Sequence, residues 1–540
     1  MLSSCLCAAA ESGTSRIPVA EPWWKGAVIY EIFVRSFQDS NGDGIGDLNG
    51  ITSRLDYLRD LGVDAIWLTP CYPSPLIDFG YDVADYKAIA PEYGTLADFD
   101  RLVAEARKRN IRIMLDLVLN HTSDKHAWFQ ESRASVNSAK RNWYSWQDGK
   151  AGGLPPNDWK SEFRGSAWTL DAATGQYYFH RFWPEQPDLN WRNPEVRNAM
   201  FDVVRFWLKR GLAGFRLDAV PSMFEDPNIA SPSESFDQMP ETHQVLRQLR
   251  AVVDEFPGDR LLLGETYTNN AAELASWYGK GNEIHLPLNF QFDLVNHVSA
   301  PEFRQRLADE QHNLPKAWPA HFLSSHDQSR QIDRYRDGAH DEAIAKLMAT
   351  LLLTARGTPV MYYGEEIGMR TMTPTRVEDV RDMDGIRNWP EKKGRDGERT
   401  PMQWNEEATA GFSNAKPWLP VPPNTTTINV AAEQTDPSSL LNFYKQLTRA
   451  RRSSAALKYG TYHEMDAGDP DILAFVRKDG VSNQRVLIVL NMSPNPRTAK
   501  FPALVGQKMR ALVNTGGRNA DAADDGIRLS SFGAVVLELK

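Results

Sequence analysis

The sequence predicts an α/β protein: a (β/α)8 barrel with an insertion after its third strand, followed by a C-terminal antiparallel β-sandwich. Three observations predict it. Apolar runs of strand length alternate with helix-length segments over most of the 540 residues, the pattern of a parallel sheet with crossover helices. Three of these runs, GFRLDAV (214–220), LLLGETY (261–267) and AHFLSSHDQSR (320–330), bring a carboxylate to their far end: Asp218, Glu265 and Asp327. Barrel strands all point one way, so residues at their ends converge on one mouth. Residues 456–540 then change to short, regularly spaced strand-like runs, as a small antiparallel unit does.

In chain order, residues 1–21 read as an unstructured tail or the remnant of a leader. The barrel's first part occupies 22–120, the insertion 121–190, the second part 191–455 and the β domain 456–540. AVIYEIFVRSF (27–37) is strand-like. DSNGDGIGDLNG (39–50) follows, with Asp39, Asn41, Asp43 and Asp47 at alternate positions between glycines. Those oxygens, with a backbone carbonyl at Ile45, suit a hard cation; calcium is expected, with magnesium the alternative. The twelfth position is Gly50 rather than Glu, so this is no EF-hand, and an Asx-rich turn is the competing reading. ITSRLDYLRDLG (51–62) repeats Ile51, Leu55, Leu58 and Leu61 at helical spacing and stops at Gly62. DAIWLTP (64–70) is a strand, 97–110 a helix with Phe99, Leu102, Val103 and Ala106 on one face, and RIMLDLVLNH (112–121) a strand ending in Asn120 and His121. Asp116 inside it reads as structural bracing.

Residues 122–190 are rich in Trp, Asn, Gly, Pro and Ser and hold no long helix, so they read as an excursion overhanging the mouth. NPEVRNAMFDVVRFWLKRG (193–211) is a helix, capped by Asn193, with Pro194 at its first turn and Gly211 past its end. Residues 284–292, 321–325 and 358–366 supply the sixth to eighth strands. Residues 367–425 are a polar excursion, 439–452 is a last helix, and 472–478, 485–491, 509–514 and 534–540 are the C-terminal strands.

Composition narrows the function. An apolar share of 41% and a charged share of 24% describe a globular protein in water. A net charge of −9 argues against nucleic acid or an anionic membrane as partner. No apolar run reaches the ~18–20 residues of a membrane span. The three cysteines, Cys5, Cys7 and Cys71, are too few for a disulfide framework, and Cys71 reads as a packed thiol. A cytoplasmic location is expected, with a periplasmic or secreted one if the N-terminus is a leader remnant. A monomer or homodimer is expected.

Arg216 and Asp218 are two residues apart and therefore share one strand face, where burial is costly unless they are paired or functional. Carboxylates gathered at one mouth are what glycoside hydrolysis needs: a nucleophile, an acid and further charge around one sugar.

The chain resembles the α-amylase family of glycoside hydrolases from about residue 23 onward. The motifs DLVLNH (116–121), QPDLNW (186–191), GFRLDAV, GET (264–266) and HDQ (326–328) carry the likeness in order. QPDLN, DSNGDGIGD, GYDVADY (80–86) and ERTPMQW (398–404) place it nearest the oligo-1,6-glucosidase and α-glucosidase group. The resemblance implies a TIM barrel with an overhanging B domain and a C-terminal sandwich. It implies Asp218 as nucleophile, Glu265 as general acid/base and Asp327 as transition-state stabiliser. Arg216 would orient Asp218, His121 and His326 would contact sugar hydroxyls, Tyr81 would stack on the sugar, and Asp82 with Arg399 would hold its non-reducing end. A bound calcium on Asp39, Asn41, Asp43, Ile45 and Asp47 is implied too. Ser325 stands where the family has Asn, a shorter reach beside His326. Ala219 follows the nucleophile where valine accompanies α-1,6 activity, which leans toward α-1,4 bonds. The expected activity is a retaining exo-α-glucosidase on short α-glucosides, with transglucosylation. A trehalose synthase or sucrose-acting relative is the alternative.

Overall fold

Strands that are buried on both faces read as unbroken apolar runs, and eight such runs build the barrel. In the computed structural model, which describes residues 21–225, 239–292, 294–516 and 526–540, they are β1 (Ile29–Ile32), β2 (Ala65–Leu68), β3 (Arg112–Val118) and β4 (Gly214–Asp218). β5 (Leu261–Gly264), β6 (Leu286–Asn289), β7 (Ala320–His321) and β8 (Thr358–Tyr362) complete the set. They close in sequence order, every strand parallel to its neighbours, with β8 pairing back onto β1 through Ile29↔Val360. The expected tail, residues 1–20, lies outside the described residues.

The side-chain period of two divides each strand between two cores. Ile29, Ala65, Met114, Leu261, Leu263, Leu286, Leu288, Ala320 and Val360 fill the barrel interior. Tyr30, Ile66, Leu115, Phe215, Leu217 and Leu262 face outward into the layer of helices. The inward series changes character along the strands. Ile29 gives way to Glu31, Met114 to Asp116, and Leu263 to Glu265, while β4 carries Arg216 and Asp218 in the same register. The barrel is thus apolar at its floor and charged at its mouth. Gly214 opens β4 because a Cβ there would lie 2.1 Å from Leu261 O.

Several elements are shorter than the sequence predicts. The 27–37 run splits into β1 and a helical turn, Val34–Phe37. The 51–62 helix is two, Leu48–Ser53 and Leu55–Leu61, broken at Arg54. Arg54 is pinned from outside the helix: its Nε donates to Gln38 Oε1 at 2.7 Å and its guanidinium lies 4.0 Å from the Trp404 ring. Asn193 caps the helix Pro194–Lys209, and Thr95 with Asp98 forms a capping box for Leu96–Lys108.

The insertion has more order than its composition suggests. It contains a helix, Ala127–Arg133, and a three-stranded antiparallel sheet of Trp146–Asp148, Gln176–Phe179 and Trp168–Asp171. Bridges His121↔Asp188 and Tyr144↔Leu189 tie it to the mouth.

The C-terminal unit is an antiparallel sheet of Thr461–Glu464, Ile472–Lys478, Arg485–Asn491, Ala534–Leu539 and Met509–Asn514. One face (Ile472, Ala474, Leu487, Val489, Val535, Leu537) packs on the ribbon Arg497–Ala499 with Ile527–Leu529. The other (Leu473, Phe475, Val486, Ile488, Val536) joins the apolar layer of the barrel helices. Arg477 crosses that seam, fully buried, and donates to Thr354 O and Ala355 O at 2.7 and 2.6 Å. Those carbonyls end the helix Asp341–Thr354, whose last C=O groups have no partner within the helix.

Candidate active site

Arg216 is the hub of the mouth. It is 1% exposed. Its Nη1 lies 2.5 Å from Asp218 Oδ1 and 3.0 Å from Asp116 Oδ1, and its Nη2 lies 2.5 Å from Glu265 Oε1. The two terminal nitrogens of one guanidinium therefore grip two of the three predicted catalytic carboxylates. β4 supplies Arg216 and Asp218; Glu265 arrives one residue past β5. Glu265 is also held from the turn after β4, where Ala219 N donates to its Oε2 at 2.9 Å. Ala219 adopts left-handed backbone there (φ 44), a conformation costing a non-glycine residue about 1 kcal/mol.

Asp327 lies beyond β7, on the other side of the opening. Arg395 Nη1 and Arg399 Nη2 donate to its Oδ1 at 3.0 and 2.8 Å, and His326 Nε2 lies 3.1 Å from its Oδ2. Burial works against its charge, but His326 and Arg395 outweigh burial and hold the carboxyl well below the usual range. Ser325 Oγ accepts from Asp327 N at 3.2 Å, a short turn that needs no longer side chain.

Tyr81 links the two halves. Its hydroxyl donates to Asp116 Oδ2 at 2.9 Å and lies 2.7 Å from His326 Nε2. Its ring stacks on the His326 imidazole, 5.4 Å between centroids and 7° from parallel. His121 is buried, with Nε2 3.1 Å from Tyr81 O and 3.0 Å from Gln186 Nε2. Burial lowers its pKa to about 4, so it is neutral.

Arg216 on its own would hold Asp218 below the usual carboxylate range. Burial is the larger influence, Glu265 and Asp116 add to it, and Asp218 lies well above that range although Arg216 opposes. Asp116 is raised as well, again by burial first. Asp116 and Asp218 are thus both held above the usual carboxylate range by burial, with Arg216 opposing.

Asp82 and Arg399 are not brought together as the sequence reading expects. Asp82 is fully buried, and its oxygens are occupied by Ser74 Oγ, Ile77 N and Asp78 N at 2.7, 3.0 and 3.0 Å. It braces the loop. Arg399 is equally buried, with Nε on His326 O at 2.9 Å, and holds Asp327 in place. The pair at the opening is Asp78 with Arg395, 2.7 Å apart, and Arg395 is itself anchored by Asp382 Oδ2 at 2.9 Å. Asp78, Arg395 and Glu31 were missed. Glu31, a lone charge in the AVIYEIF run, was the detectable one; Asp78 and Arg395 are 317 residues apart and carry no such signal.

The 39–47 loop is a chain of Asx turns. Asp39 Oδ1 accepts from Asn41 N and Gly42 N, Asn41 Oδ1 from Asp43 N, Asp43 Oδ1 from Ile45 N, and Asp47 Oδ2 from Ser40 N. Gly44 (φ 89) is required, because a Cβ would lie 2.2 Å from Lys416 O. Asp39 and Asp47 are 6% and 3% exposed, and neither is in an ion pair with Lys or Arg among the described residues. Buried carboxylates without a cationic side chain are a donor set that fits a hard cation. Among the described residues no three His, Cys, Asp or Glu side chains converge as a metal cluster.

A family model for the α-amylase catalytic domain matches residues 31–460. The chain belongs to the α-amylase family. Among curated members of that family, a probable α-glucosidase of Rhizobium meliloti (strain 1021) is 39% identical over 98% of this chain and 99% of its own. An oligo-1,6-glucosidase of Parageobacillus thermoglucosidasius is 38% identical over 91% and 94%. Among solved structures, the trehalulose synthase of Pseudomonas mesoacidophila MX-45 superposes with a TM-score of 0.89 at 35% identity, over 97% of this chain and all of that one. The match to these relatives thus runs along nearly their whole length, and the superposition on the trehalulose synthase includes the barrel and the C-terminal sheet. No helix among the described residues is long and apolar enough to cross a membrane.

Proposed function

We propose that the protein is a retaining, exo-acting α-glucosidase of short α-glucosides, α-1,4 bonds favoured. The observation that carries this reading is the Arg216 fork holding Asp218 and Glu265 against one another. Retaining glycosidases keep their two carboxyl groups about 5–5.5 Å apart, close enough for one to attack and the other to protonate. Asp218 attacks the anomeric carbon while Glu265 gives its proton to the departing glycosidic oxygen. Water then attacks the glucosyl ester with Glu265 as base; a sugar hydroxyl in its place gives transglucosylation. Asp327, fixed by Arg399, Arg395 and His326, accepts hydroxyl hydrogen bonds that strengthen as the ring flattens. Asp78 and Arg395 close the pocket at the non-reducing end, which favours exo action, and Tyr81 and His121 form the wall beside the sugar.

Calcium, with magnesium as the alternative, is proposed on Asp39, Asn41, Asp43, Ile45 O and Asp47; it would neutralise the buried carboxylates and brace the loop. The small cysteine count supports a cytoplasmic location. A monomer or homodimer is proposed.

The trehalulose synthase among the neighbours favours a second reading, in which sucrose is isomerised on the same carboxylates. One experiment separates them: chromatography of products from maltose, isomaltose, sucrose and trehalose, with Asp218→Asn as control. Free glucose from maltose, lost in the variant, supports the glucosidase. An isomerised disaccharide without net hydrolysis refutes it, and glucose from isomaltose in preference to maltose refutes the linkage assignment.

A further inference from the structure

We propose that Glu31, on β1, is a positioning residue that holds His326 with both ring nitrogens protonated, so that its Nε2–H is aimed at Asp327 and Tyr81. The proposal rests on the glucosidase reading only for the assay of activity. Glu31 Oε1 lies 2.6 Å from His326 Nδ1 and 3.3 Å from His326 N, so one carboxylate oxygen fixes both ring and backbone. On the opposite side, Nε2 lies 3.1 Å from Asp327 Oδ2 and 2.7 Å from Tyr81 Oη. The Tyr81 proton is committed to Asp116, so the tyrosine oxygen is the acceptor and Nε2 must carry hydrogen. An imidazole with a carboxylate on each nitrogen is a donor on both sides.

The surroundings leave it no freedom to turn. Tyr81 and Phe33 stack on its two faces, and Trp67 meets it edge-on. The charged groups facing it are Glu31 from β1, Asp327 beside it, Asp116 through Tyr81, and Arg399, which binds its carbonyl. Burial opposes the imidazolium, but Asp327 and Glu31 together outweigh it and carry the pKa to about 9. Glu31 is fully buried, and its Oε2 has no hydrogen-bond partner although it borders the substrate cavity. A carboxylate placed only for packing would be costly there. Through His326 it keeps Asp327 oriented for the sugar.

Glu31→Gln tests this by keeping size and a hydrogen-bond acceptor while removing one of the two charges on His326. With one carboxylate gone, the alkaline fall in kcat/KM should move toward neutral by about one pH unit, and kcat/KM at pH 8.5 relative to pH 6.5 should drop about threefold below the wild-type ratio. Glu31→Asp, which keeps the charge but shortens the reach, should raise KM and leave the alkaline limb in place. Thermal unfolding reads the same pair without substrate. The stabilisation from a histidine raised to about 9 is complete below its ordinary 6.5 and is lost as pH rises through 9. The melting gap between wild type and Glu31→Gln should therefore narrow between pH 6.5 and 9.5. An unmoved alkaline limb with a constant melting gap would overturn the proposal. Wild-type protein inert on every α-glucoside would sink the glucosidase reading instead, leaving the melting gap to decide on Glu31.

Discussion

Replacing Arg216 by Gln should abolish most activity at neutral pH and restore part of it in alkali. Arg216 is the cationic side chain within 3.0 Å of Asp116, Asp218 and Glu265. With charge centres about 4 Å apart and an effective dielectric of about 20, one such pair is worth about 4 kcal/mol. That is a factor of about 1,000 in the protonation equilibrium of Asp218. Burial already holds Asp218 above the ordinary range with the arginine present. Without it the nucleophile is protonated throughout the neutral region. The expected kcat/KM at pH 7 is about 1,000-fold below wild type, rising about tenfold per pH unit toward alkali, because only the ionised carboxylate attacks. Arg216→Lys keeps the charge but loses the fork that holds two carboxylates at once; its loss should be smaller and its pH slope normal. The assay is kcat/KM for maltose from pH 5 to 9.5, with circular dichroism to check folding. A loss below about tenfold, or a profile parallel to wild type, would refute the electrostatic role given to Arg216.

Chelation of a bound ion should lower the melting temperature by several degrees while leaving initial rates at 25 °C nearly intact, since the 39–47 loop touches none of the reacting groups; unchanged melting after exhaustive chelation would remove the cation from the account. Asp78→Ala should raise KM for maltose at least about tenfold, by removing the carboxylate that holds Arg395 Nη2 at the pocket end while Asp382 and Asp327 keep the rest of the guanidinium, whereas Asp82→Asn should cost stability and spare KM; the reverse outcome in parallel kinetic and melting series would restore Asp82 as the sugar contact. Behind β8, burial raises Glu365 to about 8, with Tyr444 Oη on its Oε1 at 2.9 Å. The unfolded chain ionises this group near pH 4.5 and the folded one only near 8, so its influence is most favourable below pH 4.5 and is lost as pH rises toward 8. Glu365→Gln should remove that decline; melting curves at pH 5.5, 7 and 8.5 that stay parallel to wild type would contradict it.

Much of the barrel was legible because burial on both faces leaves continuous apolar runs, and because β4 interrupts its run with Arg216 and Asp218, charges too costly to bury idly. The direction of the strands then carried Glu265 and Asp327 to the same mouth. What failed to show had physical reasons. The insertion's strands are three or four residues long, too short for a period to emerge in Trp168–Asp171 or Gln176–Phe179. The family resemblance implies sugar contacts at Asp82 and Arg399, and here both side chains are engaged by the protein itself. Which of two neighbouring polar residues turns toward a cavity is decided by the loop's own hydrogen bonds, and those gave Asp82 to the backbone and left Asp78 for Arg395. Arg54 broke a helix with good spacing because its partners, Gln38 and Trp404, come from distant segments.

The seam at Arg477 decides how the chain may be cut. The central strands of the C-terminal sheet have no face left over for solvent, since one is covered by their own ribbon and the other by the barrel's helices. A truncation after residue 455 would strip apolar cover from the helix Asp341–Thr354 and uncap its final carbonyls in the same stroke. The last 85 residues therefore behave as the keel of the enzyme rather than as cargo. Fusion partners belong on the outer ribbon, and engineered barrels of this kind should be transplanted with their sheet attached.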